Sequence, residues 1–181
     1  MSESNTLVRS MHDLGLAAWF GGSLMGATGL NGATSKSKDS QERLRLSSDG
    51  WAIWTPWQIG AIAVHTVGSI GMILGNRERL RQQDGATASA VVKTVVTVAA
   101  AGATAYSGVL GKKLMDHQHE GAEAATTPTA GASTELANAQ NQLKFLQWSI
   151  PALTSVLVFL GAQQGEQQRG FAGLLDKVSG R

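Results

Sequence analysis

The sequence predicts an all-α integral membrane protein: a four-helix bundle with a long flexible loop before the fourth helix and a short amphipathic C-terminal helix. Its apolar content of 43% is that of an ordinary soluble protein, but its charges are unevenly distributed. Four runs contain no Asp, Glu, Lys or Arg, namely residues 14–35, 50–76, 94–111 and 145–165. A bilayer core is crossed by about 20 helical residues, whereas soluble amphipathic helices carry charge every turn or two. Four charge-free runs of crossing length therefore predict four transmembrane helices.

The predicted transmembrane domain covers residues 1–165, with spans at about 12–30, 55–75, 88–111 and 145–163. Three tryptophans, Trp51, Trp54 and Trp57, precede the second span at intervals of three residues, which is typical of an interfacial anchor. Pro56 is expected in the first turn of that helix. The fourth helix is predicted from about residue 134, outside the membrane, with Ser133 as its N-cap.

The connecting segments predict further features. The stretch before Ser133 is rich in Ala, Thr, Gly and Pro, which predicts a flexible loop. Residues 166–181 place Phe171, Leu174, Leu175 and Val178 on one face, which predicts an amphipathic helix on the membrane surface. Positive residues are almost equally divided between the two sides. The compact arginine cluster at 77, 79 and 81 favours cytoplasmic termini in the cell membrane.

Small residues predict close packing of the first two spans. The predicted seams are Gly15, Ala18, Gly22, Met25 and Gly29 on the first helix, and Ala61, His65, Gly68, Met72 and Gly75 on the second. Glycines at such positions let helix backbones approach each other in a membrane. If the two helices are antiparallel and aligned by their centres, Gly22 lies opposite His65.

His65 is the only ionisable residue of its span, and two roles remain open. It is either neutral and bonded to a neighbouring hydroxyl, with Ser23, Thr97, Thr104 and Ser155 as candidates, or it binds haem b or copper or relays a proton. His12 is the other candidate cofactor ligand. In the centre-aligned register it lies roughly 13 Å along the axis from His65, which makes a haem held by both histidines difficult to build.

A second group of possible metal ligands follows the third span. His117 and His119 lie in "MDHQHEG" between Asp116 and Glu120, and imidazole with carboxylate suits zinc, copper or nickel. The spacing matches no defined metal motif, so a solvated loop is the alternative.

The stretch "HDLGLAAWFGG" resembles the first helix of the copper-resistance D family of membrane proteins. The resemblance rests on His12, Trp19, Gly21 and Gly22, in the pattern H-x6-W-x-G-G over 11 residues. It implies a four-helix membrane unit and a metal- or haem-related role for His12.

Several function classes are disfavoured by composition. The chain has no cysteine, no G-x-S-x-G elbow and no carboxylate pair within a span, so we expect no enzyme activity. A net charge of +2 does not favour nucleic-acid binding. The sequence therefore predicts a structural or accessory subunit that packs in the bilayer with itself or with other membrane proteins and needs no cofactor. The alternatives are a haem- or copper-associated protein and, third, a small channel or transporter.

Overall fold

The computed structural model describes the backbone of residues 3–77 and 84–179 and the side chains of residues 6–77 and 87–163. Over these residues the fold is all-α apart from one two-stranded ribbon. Helix α1 (Glu3–Met25) continues through a π-helical turn (Gly26–Leu30) into the short α2 (Asn31–Thr34). Three further long helices follow: α3 (Ser40–Gly75), α4 (Asp84–Asp116) and α5 (Thr134–Ser179).

Three of the helical segments are long and apolar enough to cross a membrane: Ser40–Gly75, Thr87–Asp116 and Thr134–Gln163. The predicted first span lies within α1, the π-helical turn and α2, and it is not among the three. Within α1 only residues 14–25 are free of charge, because Arg9 and Asp13 precede them and the helix passes into the π-helical turn at Gly26.

Helix α3 begins 15 residues earlier than predicted, at Ser40 rather than near residue 55. Asp39 is its N-cap: the carboxylate accepts hydrogen bonds from the backbone N–H groups of Gln41 and Glu42, at 2.7 and 3.1 Å. The polar segment between the first two predicted spans, residues 31–50, is therefore mostly helical, and Pro56 lies in the middle of α3 rather than in its first turn.

Two of the three tryptophans predicted as an interfacial anchor pack inside the chain. Trp57 faces outward, but Trp51 and Trp54 pack against the α1 side, where they cover Gly26 and Gly22. Because α3 begins so early, these two indoles lie well inside the helix and meet its antiparallel neighbour.

Residues 117–133, here called the cap segment, differ from the predicted flexible loop. They form a 3₁₀ turn (Gln118–Glu120) and two antiparallel strands, β1 (Ala122–Ala124) and β2 (Thr127–Pro128). Side chains of α3 hold this segment, since Gln41 donates to the carbonyl of His119 (2.7 Å) and Arg43 to that of Ala122 (2.9 Å). Gly121 has a φ of 73° and lies against Ser40, so glycine is required there.

The C-terminal tail also differs from the prediction of a separate surface helix. The backbone continues as one helix, α5, from Thr134 to Ser179, without a break before residue 166. The side chains of its predicted amphipathic face lie outside the described residues, as does the arginine-rich connection at 78–83.

Two apolar clusters hold the helices together. The first joins the cap segment to the helix ends and comprises Leu44, Leu110, Leu114, Ala122, Leu136 and Ala139. The second takes one residue from each long helix: Trp19, Ala61, Ala100 and Ile150. The indole of Trp19 also donates to the hydroxyl of Thr104 on α4, at 3.2 Å.

Candidate functional site: a buried histidine pair between α1 and α3

Helices α1 and α3 run antiparallel with their backbones in close approach at two glycines. A side-chain carbon added at Gly15 would lie 2.6 Å from the carbonyl oxygen of Ala61 and 2.9 Å from Cα of His65. One added at Gly68 would lie 2.6 Å from the carbonyl oxygen of Val8 and 2.7 Å from Cα of His12. Any side chain here would therefore push the helices apart.

This approach brings His12 and His65 into contact. Their ring centroids are 4.4 Å apart, with an angle of 44° between the ring planes. The centre-aligned register, which placed Gly22 opposite His65 and His12 far away, is wrong. Gly15 faces His65 and Gly22 faces Trp54, because a short turn at residues 35–39 joins the two helical segments and sets which residues pair.

The hydrogen bonds of the pair define the state of each ring. Nδ1 of His65 lies 3.0 Å from the backbone carbonyl oxygen of His12, and a carbonyl can only accept, so Nδ1 carries a hydrogen. In the neutral ring, Nε2 is then a bare acceptor. This atom is buried and has no hydrogen-bond partner among the described residues. None of the four predicted hydroxyl partners of His65 fills that role.

Asp13 completes the His12 side of the site. Its Oδ1 lies 2.7 Å from Nδ1 of His12, so this ring is also held through Nδ1 by an oxygen. Exposure decreases from Asp13 to His12 to His65: the Asp13 side chain is 64% exposed, that of His12 is 7% exposed, and His65 is 1% exposed.

Charged groups on two helices surround the pair. Arg9 of α1 and Lys93 of α4 are close enough to act on His12 electrostatically. The Lys93 ammonium also approaches α5, at 3.9 Å from a carbon placed on Gly161. On the inner side, the Trp19 ring stands edge-on to His65 with centroids 6.1 Å apart. The pair therefore lies between a polar end of the molecule and the apolar cluster around Trp19.

The geometry does not fit a haem held by both histidines. Two imidazoles that bind one haem iron from opposite faces have ring centroids roughly 6 Å apart, given iron–nitrogen bonds of about 2 Å. At 4.4 Å the two rings leave no room for a porphyrin between them. For copper, the pair offers one ring nitrogen, Nε2, on each histidine. The described residues contain no group of three or more His, Asp or Glu side chains that could hold a metal ion.

His117 and His119 lie together in the cap segment, with parallel rings 6.4 Å apart. Nδ1 of His117 donates to the carbonyl of Lys113 (2.9 Å), and its Nε2 lies 3.9 Å from carboxylate oxygens of both Glu120 and Glu135. These distances describe a loose ion-pair network, since metal–ligand bonds are about 2 Å long.

The five glycines predicted to pack helices occupy different environments. Gly15 and Gly68 lie where the backbones meet, and Gly22 lies under the indole of Trp54. Among the described residues, a carbon added at Gly29 would meet only Met25, which precedes it in the same helical segment. Gly75 is exposed at the end of α3. The π-helical turn that begins at Gly26 adds a residue, so that Leu30 and Asn31, rather than Gly29, face α3.

Sequence reasoning missed Asn31, the centre of a polar network between helices. Its amide oxygen accepts from Ser47 (3.1 Å) and from the indole of Trp51 (3.0 Å), and its amide nitrogen donates to Gln147 on α5 (2.9 Å). The available signal was an amide side chain inside a charge-free run. Lys93 was missed in the same way, as a charge at the edge of a predicted span.

Comparison of the chain with protein-family models, curated proteins and solved structures gives no match. The resemblance to copper-resistance D proteins therefore has no support beyond the stretch containing His12 and Trp19.

Proposed function

We propose that the protein is a multi-pass membrane protein of the cell membrane, a bundle of four membrane-crossing helices that acts as a structural or accessory subunit. It packs in the bilayer with copies of itself or with other membrane proteins, performs no catalysis and requires no cofactor. Both termini face the cytoplasm in this proposal.

Support for the membrane location comes from what the apolar helices present to their surroundings. Large apolar side chains point outward along their length, among them Ile59 and Ile70 on α3 and Phe159 on α5. Each large apolar side chain left in water forgoes roughly 1.5–3 kcal/mol of burial free energy. Such a surface is stable against lipid and unfavourable in water.

The outward face of α4 carries the proposal of a packing role. In the 18-residue apolar stretch of α4, only 6% of the residues are buried within the chain, against 17% in the corresponding stretch of α3 and 22% in that of α5. This face alternates valines with small residues, and a side chain added at Gly102 would meet no atom within 4 Å. Small residues in membranes concentrate where helices touch helices, because they allow close van der Waals contact.

The test is the molar mass of the detergent-solubilised protein, measured by light scattering and repeated in lipid nanodiscs with cross-linking. We expect an oligomer, and we expect Gly102→Leu to dissociate it. Gly60→Leu is the matched control, because Gly60 is also an open, outward glycine but lies on α3. Dissociation by the Gly60 variant alone would place the interface on α3 instead.

A strictly monomeric protein that also co-purifies with no membrane protein would overturn the packing role. The same preparation tests the alternative role of His12 and His65. A Soret band or stoichiometric copper, lost in His65→Asn, would replace this proposal with a cofactor-binding function.

A further inference from the structure

The histidine pair has a property that helix packing alone does not require. Both rings are held through Nδ1 by an oxygen acceptor, the His12 carbonyl for His65 and the Asp13 carboxylate for His12. In the neutral pair, each ring therefore keeps its Nε2 as a bare acceptor, and that of His65 is buried without a partner among the described residues. A buried acceptor left without a donor is unfavourable by about 1–3 kcal/mol.

We propose that the His12–His65 pair is a binding site for one proton, and that the Asp13 carboxylate stabilises the protonated pair. A proton taken from water forms an N–H bond at one Nε2 and leaves the other Nε2 as its acceptor. Rings with centroids 4.4 Å apart can share that proton directly after a small rotation or through one water molecule. No other bond changes, and the proton returns to water when the pH rises.

The surrounding charges limit the site to one proton. Two imidazolium rings in contact would repel each other strongly in a buried site. Arg9 on α1 and Lys93 on α4 add positive potential, and Asp13 supplies the negative charge that faces them. Helix α3 has no charged residue between 50 and 76, and α5 has none between 145 and 165. Interacting groups of this kind titrate as a pair, with one shared step for the first proton.

Exposure decreases in order from Asp13 to His12 to His65. The Asp13 side chain is mostly exposed, His12 contacts it, and His65 is the most deeply buried of the three. Because the pair lies where α1 and α3 approach most closely, the bound proton acts on the same interface that holds these helices together. The proposal goes beyond a packing role and does not depend on the oligomeric state.

The experiment is a pH titration of the full chain in lipid nanodiscs with ¹⁵N-labelled histidine, followed by NMR of the imidazole nitrogens. The chain has four histidines. His117→Asn and His119→Asn assign the cap-segment signals and leave the pair intact. We expect His12 and His65 both to carry hydrogen on Nδ1 at high pH, and to respond together to the uptake of one proton.

Asp13→Asn is the decisive variant, because Asp13 is exposed and its loss should not prevent folding. Removal of a carboxylate within hydrogen-bond distance should weaken proton binding by roughly tenfold or more. The NMR signals of both rings should report this change. Asp49→Asn is the matched control: Asp49 is also exposed and paired, with Arg45, at a distant part of α3. It should leave the titration unchanged.

Two results would overturn the proposal. One is separate titration of His12 and His65, each unaffected by His→Asn replacement of the other. The second is the absence of any proton uptake by the pair between pH 4 and 9, which would make His65 a neutral packing residue.

Discussion

Gly15 is a residue at which a single added methyl group is expected to disturb the α1–α3 contact. In Gly15→Ala, the new carbon would clash with backbone atoms of Ala61 and His65, which cannot rotate away as a side chain could. We expect the helices to separate and the unfolding free energy to fall by about 1–3 kcal/mol, as for other overpacked sites. A denaturant titration in mixed micelles measures this difference in unfolding free energy between the natural protein and Gly15→Ala.

The matched control is Gly21→Ala, which changes the same residue type on the same helix where an added carbon meets nothing within 4 Å. There, alanine should be neutral or stabilising by up to about 1 kcal/mol, through its higher helix propensity. Equal stability of the two variants would show that the backbones do not approach as closely as described.

Helix α5 begins with a cap that depends on a carboxylate from outside the helix. The Ser133 hydroxyl accepts from the backbone N–H of Leu136, and Glu120 of the cap segment accepts from the backbone N–H of Ser133. Glu120 thus takes the place that a glutamate within the first turn has in a capping box. The hydrogen bond from the Ser133 N–H holds the pKa of Glu120 below its usual value. The nearby His117 and His119 lower this pKa further by smaller amounts.

A depressed carboxyl pKa stabilises the fold at pH values above the unfolded pKa, and this contribution is lost as pH falls through the folded one. We therefore expect the advantage in Tm of the natural protein over Glu120→Gln to be largest near pH 7. It should shrink below about pH 5, where unfolded glutamate begins to bind protons. Glutamine keeps an acceptor oxygen but not the charge, so the variant isolates the charge.

The Tm of the natural protein and of Glu120→Gln is measured at each pH from the helical circular dichroism signal as the temperature rises. The matched control is Glu123→Gln, which removes the same charge from an exposed position of the same segment. A Tm gap between the natural protein and Glu120→Gln that stays constant from pH 7 to pH 3 would contradict the role of the Glu120 carboxylate.

The same elements show what sequence reasoning could and could not reach. Charge-free runs predicted where the long helices lie, because burial of apolar surface decides that feature and composition reports it. The start of α5 at Thr134, with Ser133 as its N-cap, was predicted correctly. Two helix ends were missed: the start of α3 at Ser40, which a local cap decides, and the end of α5 at Ser179, where the backbone continues past the charge-free run. The meeting of His12 and His65 was missed because it depends on the pairing register. That register is set by a five-residue turn and by glycine contacts far apart in sequence.

For the proposed membrane protein, the path of α1 decides how many times the chain crosses the bilayer. Hydropathy alone supports three crossings, since α1 is not among the three apolar segments. Contacts favour four: α1 packs along α3 from the Gly26–Trp51 contact to the Val8–Gly71 contact. Twenty residues of α3 separate those contacts, about 30 Å at 1.5 Å per residue, which is the thickness of a bilayer core.

The chain has no cysteine, so single cysteines can report sidedness without further changes. We expect Lys38→Cys and Ala130→Cys to react with a membrane-impermeant maleimide from one side of sealed vesicles, because the α3 start and the cap segment contact each other. Arg77→Cys should react only from the opposite side. Thr6→Cys is decisive: with α1 crossing, it reacts from the side of Arg77→Cys. Reaction from the Lys38 side would mean that α1 does not cross, and that the histidine pair cannot lie between two membrane-crossing helices.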